Sequence, residues 1–201
     1  MKLCRGKEFP AVIIIASVLS AFLFFGCASA RHKNSSAVSP VYITNSKRFY
    51  LLPPEDIERP AECFQLLTGS FGEKSFVLQV FLQADEHGLF LSLLNDFGAG
   101  MGTLVYDGAR ISFDSSVFPA GIKAEYIAAD LQFAYYKPSA LKERLADVNL
   151  DFVVTEENGA EIRRIMNGKK CIMQISKSGE TVDIENFLRG YCYNLKEASD
   201  L

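Results

Sequence analysis

Few side chains in this sequence have the types and spacing that chemistry requires. The chain of 201 residues has two histidines, His32 and His87. Zinc sites need His and Cys ligands at short, set spacings, and neither histidine has such a partner. A Cys–His nucleophile pair would have to join Cys63 or Cys171 to His87. No Gly-x-Ser-x-Gly elbow is present. The acid pairs Asp85–Glu86 and Glu156–Glu157 fall in turns, where solvated loop charges are the simplest reading, and glycoside chemistry would require a cleft between them. Gly98-Ala99-Gly100-Met101-Gly102 follows a strand-like run, as a phosphate loop would. A dinucleotide fingerprint must open a helix, however, and here another strand pattern follows with no lysine after the glycines. The expectation is a non-enzymatic protein with no metal and no cofactor.

The elements around these residues carry more information. From Ser75 to Phe113 the sequence alternates with period two between Gly/Asn/Asp turns, the signature of strands with one face more buried than the other. Phe76, Leu78, Val80 and Leu82 form one set, Leu89, Leu91 and Leu93 the next, and Ile111 and Phe113 a third. The glycine-rich turn between them carries Phe97 and Met101. Its glycines permit unusual backbone angles. Two readings stand: both side chains fold back onto the sheet, or they form an apolar tip aimed at membrane or ligand.

The N-terminus has the pattern of a secretory signal. Lys2, Arg5 and Lys7 precede an apolar run from Ala11 to Gly26, shorter than the roughly 20 residues a membrane-spanning helix needs. Gly26-Cys27 at its end resembles the lipobox of bacterial lipoproteins, with Phe24 where leucine is usual. The resemblance implies cleavage before Cys27, acylation of Cys27 and a membrane anchor; the alternative is an uncleaved N-terminal anchor helix. Ala28 is not the aspartate that retains many such lipoproteins in the inner membrane, which favours an outer membrane lipoprotein of the cell envelope facing the periplasm, with surface exposure also open. The chain from Cys27 onward holds 18 Lys+Arg against 23 Asp+Glu, a formal charge of −5. That net charge argues against nucleic acid as a partner and against docking on anionic headgroups. Cys171 and Cys192 lie in two of the last strand-like runs, and either a pair or free thiols fits that placement.

The expected organisation is a signal at 1–26, an acylated Cys27 with a polar tether at 27–50, and one folded domain at 51–201. Within the domain, about five strands lead into a helix from Lys123 to Tyr135. It is stopped by Pro138, and a short second helix capped by Ser139 follows before about four more strands. Hairpin runs with a helical insertion give an α+β class with an antiparallel sheet. Ile127 and Leu131 on the helix would cover a concave floor of Phe76, Leu78, Val80, Leu82, Leu89, Leu91, Leu93, Ile111 and Phe113. Such a floor either fills itself with side chains or holds one apolar ligand, and both remain open.

Several short motifs point to a family: Leu51-Leu52-Pro53-Pro54, the run from Gln65 to Gly72, the run from Ser75 to Val80, Asp107-Gly108, and Ala128-Ala129-Asp130-Leu131-Gln132 with Tyr135. Over most of 51–196 they resemble a bacterial lipoprotein family with a domain of unknown function, sometimes encoded near aryl-polyene synthesis genes. That family is similar in layout to the lipoprotein carriers LolA and LolB, which hold acyl chains in an incomplete antiparallel β-barrel closed by a helical lid. The resemblance implies lipid or acylated-protein binding. It also places Phe97, in Asn95-Asp96-Phe97-Gly98, where LolB exposes a leucine that delivers cargo to the membrane; Asp96 departs from the proline found there. The leading expectation is therefore an anchored lipoprotein that binds an apolar chain. The rivals are an envelope interaction or scaffold lipoprotein with a packed core, and an enzyme acting on lipid-linked material through Cys63, Cys171 or His87.

Overall fold

The structure is a computed structural model, and it describes residues 36–115 and 123–198. The signal segment, Cys27, His32 and the first part of the tether lie outside the described residues. The described residues form an α+β domain. Three short strands come first, β1 (Ser36–Ala37), β2 (Val41–Tyr42) and β3 (Arg48–Phe49). Five longer ones follow: β4 (Ala61–Phe71), β5 (Lys74–Asp85), β6 (Gly88–Leu94), β7 (Gly100–Tyr106) and β8 (Arg110–Ser115). Helices α1 (Ala124–Tyr135) and α2 (Pro138–Ala146) then lead to β9 (Asp151–Glu157), β10 (Ala160–Asn167), β11 (Lys170–Ser178), β12 (Thr181–Asn186) and β13 (Tyr191–Glu197).

All strands but β2 and β3 join one antiparallel sheet of eleven, ordered β1-β8-β7-β6-β5-β4-β13-β12-β11-β10-β9. The sheet is not closed, since its edge strands β1 and β9 do not pair with each other. It is nonetheless strongly curled. Helix α1 touches β8 near one edge and β11 and β12 toward the other. Strands lie about 4.8 Å apart, so on a flat sheet β8 and β11 would stand roughly 30 Å from each other, and a twelve-residue helix, about 18 Å long, could not touch both whichever way it lay. The sheet therefore wraps around α1. The hairpin registers put Leu78, Val80 and Leu82 of β5 opposite Leu67, Gln65 and Cys63 of β4, and Leu91 and Leu93 of β6 opposite Leu82 and Val80, so a mainly apolar face, interrupted by the buried Gln65, lines the inside.

Two sequence expectations need correction. Residues 36–50 are not tether: β1 pairs with β8, and Val41 and Phe49 are buried in the core, with the Phe49 ring 5.0 Å from that of Phe133. Two-residue strands leave too short a pattern for period-two alternation to register. Ser139 does not cap α2 either. Lys137 holds the cap position and Pro138 is the first helical residue, where its fixed φ suits a helix start and its missing N–H costs nothing.

Candidate functional site

The inner face of the sheet and the helix across it make the candidate site. Leu78, Val80, Leu82, Leu89, Leu91, Leu93, Ile111 and Leu131 are buried in one cluster, with Phe76, Phe113 and Ile127 partly buried against it. Gly69 belongs to this face. A Cβ there would meet the Phe76 ring at 2.5 Å, so the glycine lets the ring lie flat across β4. The cluster also contains side chains the sequence reading left out: Phe49, Leu52, Tyr106, Phe133, Tyr136, Leu141 and Leu145. Between α1 and the β11–β13 side lies a pocket of about 10 Å³, bordered by Tyr126, Asp130, Met173 and Tyr191. That volume admits one water. A wider depression of about 470 Å³ at the β9–β10 hairpin is lined mainly by polar groups, among them Glu156, Glu161 and Lys177.

Helix α1 is buried on nearly all sides, including Glu125, Asp130 and Gln132. Buried polar groups must be hydrogen-bonded, and here the bonds fasten the helix to its surroundings. The Gln132 amide bonds the backbone of Leu52 twice, donating to its carbonyl at 2.9 Å and accepting from its N–H at 2.8 Å. Tyr106 donates to the same carbonyl at 2.9 Å. Gln65 of β4 donates to the Tyr135 hydroxyl at 3.2 Å.

Two further clamps involve charged side chains. Arg163 of β10 is fully buried. Its guanidinium donates to the Tyr136 carbonyl at 2.8 Å and the Phe133 carbonyl at 3.3 Å, tying down the C-terminal end of α1. It also pairs with Glu58 at 2.5 Å and Glu161 at 2.7 Å, and Lys177 bridges the same carboxylates. Burial alone would raise the Glu161 carboxyl; Arg163 and Lys177 outweigh it and hold it below its ordinary value. At the other clamp Asp130 accepts hydrogen bonds from Tyr191 at 2.7 Å and from Tyr193, both on β13. Burial pushes the Asp130 carboxyl up to about 6, although both tyrosines and the Arg189 charge oppose the rise. Burial and the Asp130 charge raise both tyrosine hydroxyls far above the phenol range.

The glycine-rich turn separates its two apolar side chains. Asn95 accepts from the N–H groups of Phe97 at 3.0 Å and Ala99 at 2.9 Å, and Gly98 turns the chain with φ 74°. Phe97 is held outward, 95% exposed. Met101 does not join it: it lies inside β7, partly buried against the core. The tip is Phe97 alone.

The polar residues weighed for chemistry stay apart. His87 is an exposed turn residue beside Glu86, while Cys63 and Cys171 are half-buried thiols on β4 and β11. Burial raises both thiols above the ordinary range, the reverse of an activated nucleophile. Cys171 and Cys192 are free, with Cys192 3.2 Å from the Ser70 hydroxyl.

A family pattern described as protein of unknown function (DUF3261) matches residues 62–199. The chain belongs to this family. The DUF3261 match begins in β4 and runs through β13, so it takes in the long strands, both helices and every clamp residue except Glu58 and Leu52. No curated protein matches the chain. The clamps were the part of this DUF3261 domain that sequence reasoning missed. The available signal was a helix apolar on all sides with Asp130 and Gln132 inside it, which marks those two as buried polar groups in need of partners.

Proposed function

We propose that this chain is a membrane-anchored envelope lipoprotein, acylated on Cys27, whose domain takes up one apolar chain between the sheet and α1, in the manner of LolA and LolB. The observation that carries the reading is how α1 is held. A largely apolar helix lies in an unclosed, curled sheet, over a mainly apolar floor, yet it is fastened by Gln132, Tyr135, Asp130 and the carbonyls of Phe133 and Tyr136. Such bonds can be exchanged for water when the helix lifts, while the floor beneath exchanges one apolar cover for another. The described state is then the closed one, with the helix seated on the floor.

The test is photolabelling of the full chain in vesicles with a diazirine-bearing fatty acid. Adducts should map to the floor peptides of β5 and β6 and to α1. Adducts confined to the outer surface would sink the carrier reading. The close filling of the interior specifically favours a second reading, an envelope interaction lipoprotein that works through its surface, and that is the reading such a result would leave standing.

The carrier reading makes a prediction for Phe97. Phe97→Glu changes a side chain with almost no packing, so the melting point should move by no more than the effect of about 0.5 kcal/mol. Delivery of a labelled acyl chain to acceptor vesicles should fall several-fold. A variant that transfers at the unaltered rate would remove Phe97 from the mechanism.

A further inference from the structure

The sheet registers sort its turns into two ends of opposite character. One end carries the β4–β5, β6–β7, β10–β11 and β12–β13 turns. Tyr191 of β13 pairs with Phe71 of β4, and Asn186 of β12 pairs with Tyr191, which sets the β12–β13 turn beside the β4–β5 turn. Four large apolar side chains are exposed there: Phe71 at 63%, Phe97 at 95%, Phe187 at 45% and Leu188 at 38%. Among them stand exposed Lys74, Lys169, Lys170 and Arg189, against two exposed acids in the same turns, Glu73 and Asp96. The lysines make no ion pair among the described residues, whereas Arg189 donates to the Tyr42 carbonyl and lies over the Tyr126 ring. The opposite end carries the β5–β6, β7–β8, β9–β10 and β11–β12 turns, with Asp85, Glu86, Asp107, Glu157 and Glu180 against Arg110; these turns hold no exposed large apolar side chain, and the exposed Phe64 lies on the outer face of β4.

The N-terminal strand gives the direction from which the chain enters the sheet. β1 runs antiparallel to β8 with Ser36 opposite Ile111 and Ala37 opposite Arg110. Its N-terminal end therefore points toward the Ser115 end of β8, which is the end with the aromatic turns. Eight residues, 28–35, separate Cys27 from Ser36, and a chain of that length spans at most about 30 Å.

We propose that the end of the sheet bearing Phe71, Phe97, Phe187 and Leu188, with Lys74, Lys169 and Lys170 around them, is a docking face for an anionic phospholipid surface. It rests on the anchored-lipoprotein reading for the short distance to the bilayer. Aromatic side chains favour the boundary between headgroups and acyl chains, and lysines near an anionic surface add attraction that fades within a Debye length. The formal charge of −5 on the chain from Cys27 does not oppose this, because at this end the four basic side chains outnumber Glu73 and Asp96, while most of the turn acids lie at the far end. The face would also set the mouth of the β4–β13 side, and with it the Asp130 clamp, against the membrane: Phe71 stacks on Tyr191, which bonds Asp130.

The chain contains no tryptophan, so a single introduced one reports alone. Full chains carrying Phe71→Trp, Phe97→Trp or Phe187→Trp would be reconstituted into vesicles of phosphatidylethanolamine and phosphatidylglycerol with brominated acyl chains. His87→Trp marks the opposite end. The first three should shift to the blue and lose most of their emission, and His87→Trp should keep its own. Adding Lys74→Glu, Lys169→Glu and Lys170→Glu together, or replacing phosphatidylglycerol by phosphatidylcholine, should restore much of the lost emission. Quenching at position 87 in place of the other three overturns the proposal. So does emission at 71, 97 and 187 that responds only to added envelope protein, which would assign the face to a protein partner. The anchor is read separately from the mass of the Cys27 peptide. Acylated chains with unquenched tryptophans overturn the face and spare the anchor; quenched tryptophans on unacylated chains do the reverse.

Discussion

Arg163→Met will lower the thermal midpoint by roughly 10 °C. Removing one partner of a buried ion pair costs about 3–5 kcal/mol, and a domain of this size loses about 2–4 °C for each. The guanidinium is fully buried and serves four acceptors at once, the carboxylates of Glu58 and Glu161 and the carbonyls of Phe133 and Tyr136. Methionine fills the volume but leaves all four acceptors without their donor. Lys177 still reaches both carboxylates, so the uncompensated loss falls on the end of α1. Hydrogen exchange should show it first, as faster opening at Phe133 to Tyr136. Arg163→Lys should recover little, because a point charge cannot reproduce the planar fork. A midpoint unchanged in Arg163→Met would show that α1 is held by packing and that the clamp is incidental.

Asp130→Asn will stabilise the protein at pH 7.5 and flatten its stability profile between about pH 4 and 7. Burial raises the folded carboxyl to about 6 from an ordinary 3.8. The folded state therefore binds more protons than the unfolded state between those values, and stability falls as pH rises through that window. Above it the full penalty of the buried charge is present, about 2–3 kcal/mol for a shift of this size. Asparagine removes the charge and can still accept a hydrogen bond from Tyr191 or Tyr193. Glu157 and Glu161 act in the opposite sense and lower down. Their carboxyls are held below the ordinary range, Glu157 at about 2 chiefly by Arg164 and Glu161 by Arg163 and Lys177 against its burial, so their contribution is lost only as pH falls below about 4. Urea midpoints taken from pH 4 to 8 separate the two groups. Wild type should peak near pH 5 and the variant should be level to pH 8. A wild-type profile with no decline from pH 5 to 7 would mean Asp130 ionises freely, and the clamp would then be an ordinary hydrogen bond. On the carrier reading, this penalty is what leaves α1 less tightly held at neutral pH.

The sequence by itself determined the long elements. Period-two alternation in Ser75 to Phe113 gave β5 to β8, because each such strand turns one side chain set inward and the other out, and a Gly-containing turn such as Asp107-Gly108 marked where they reverse. Helical spacing located α1, while the turn at Phe97 kept two readings until the structure placed its ring outward. Three further things were decided only by the tertiary structure. Whether Val41 and Phe49 belong to the core depends on what lies across from them, and two-residue strands carry no period to announce it. The partners of Asp130, Gln132 and Arg163 sit on β13, on the segment before β4 and at the end of α1, 61, 80 and 27 residues away in the chain, and contacts at such separation have no local signature. The sorting of charge into an acidic end and a basic, aromatic end comes from which turns share an end of the sheet. Net charge is a sum over the chain, while a membrane or a partner meets only the charges that antiparallel pairing has brought to one side.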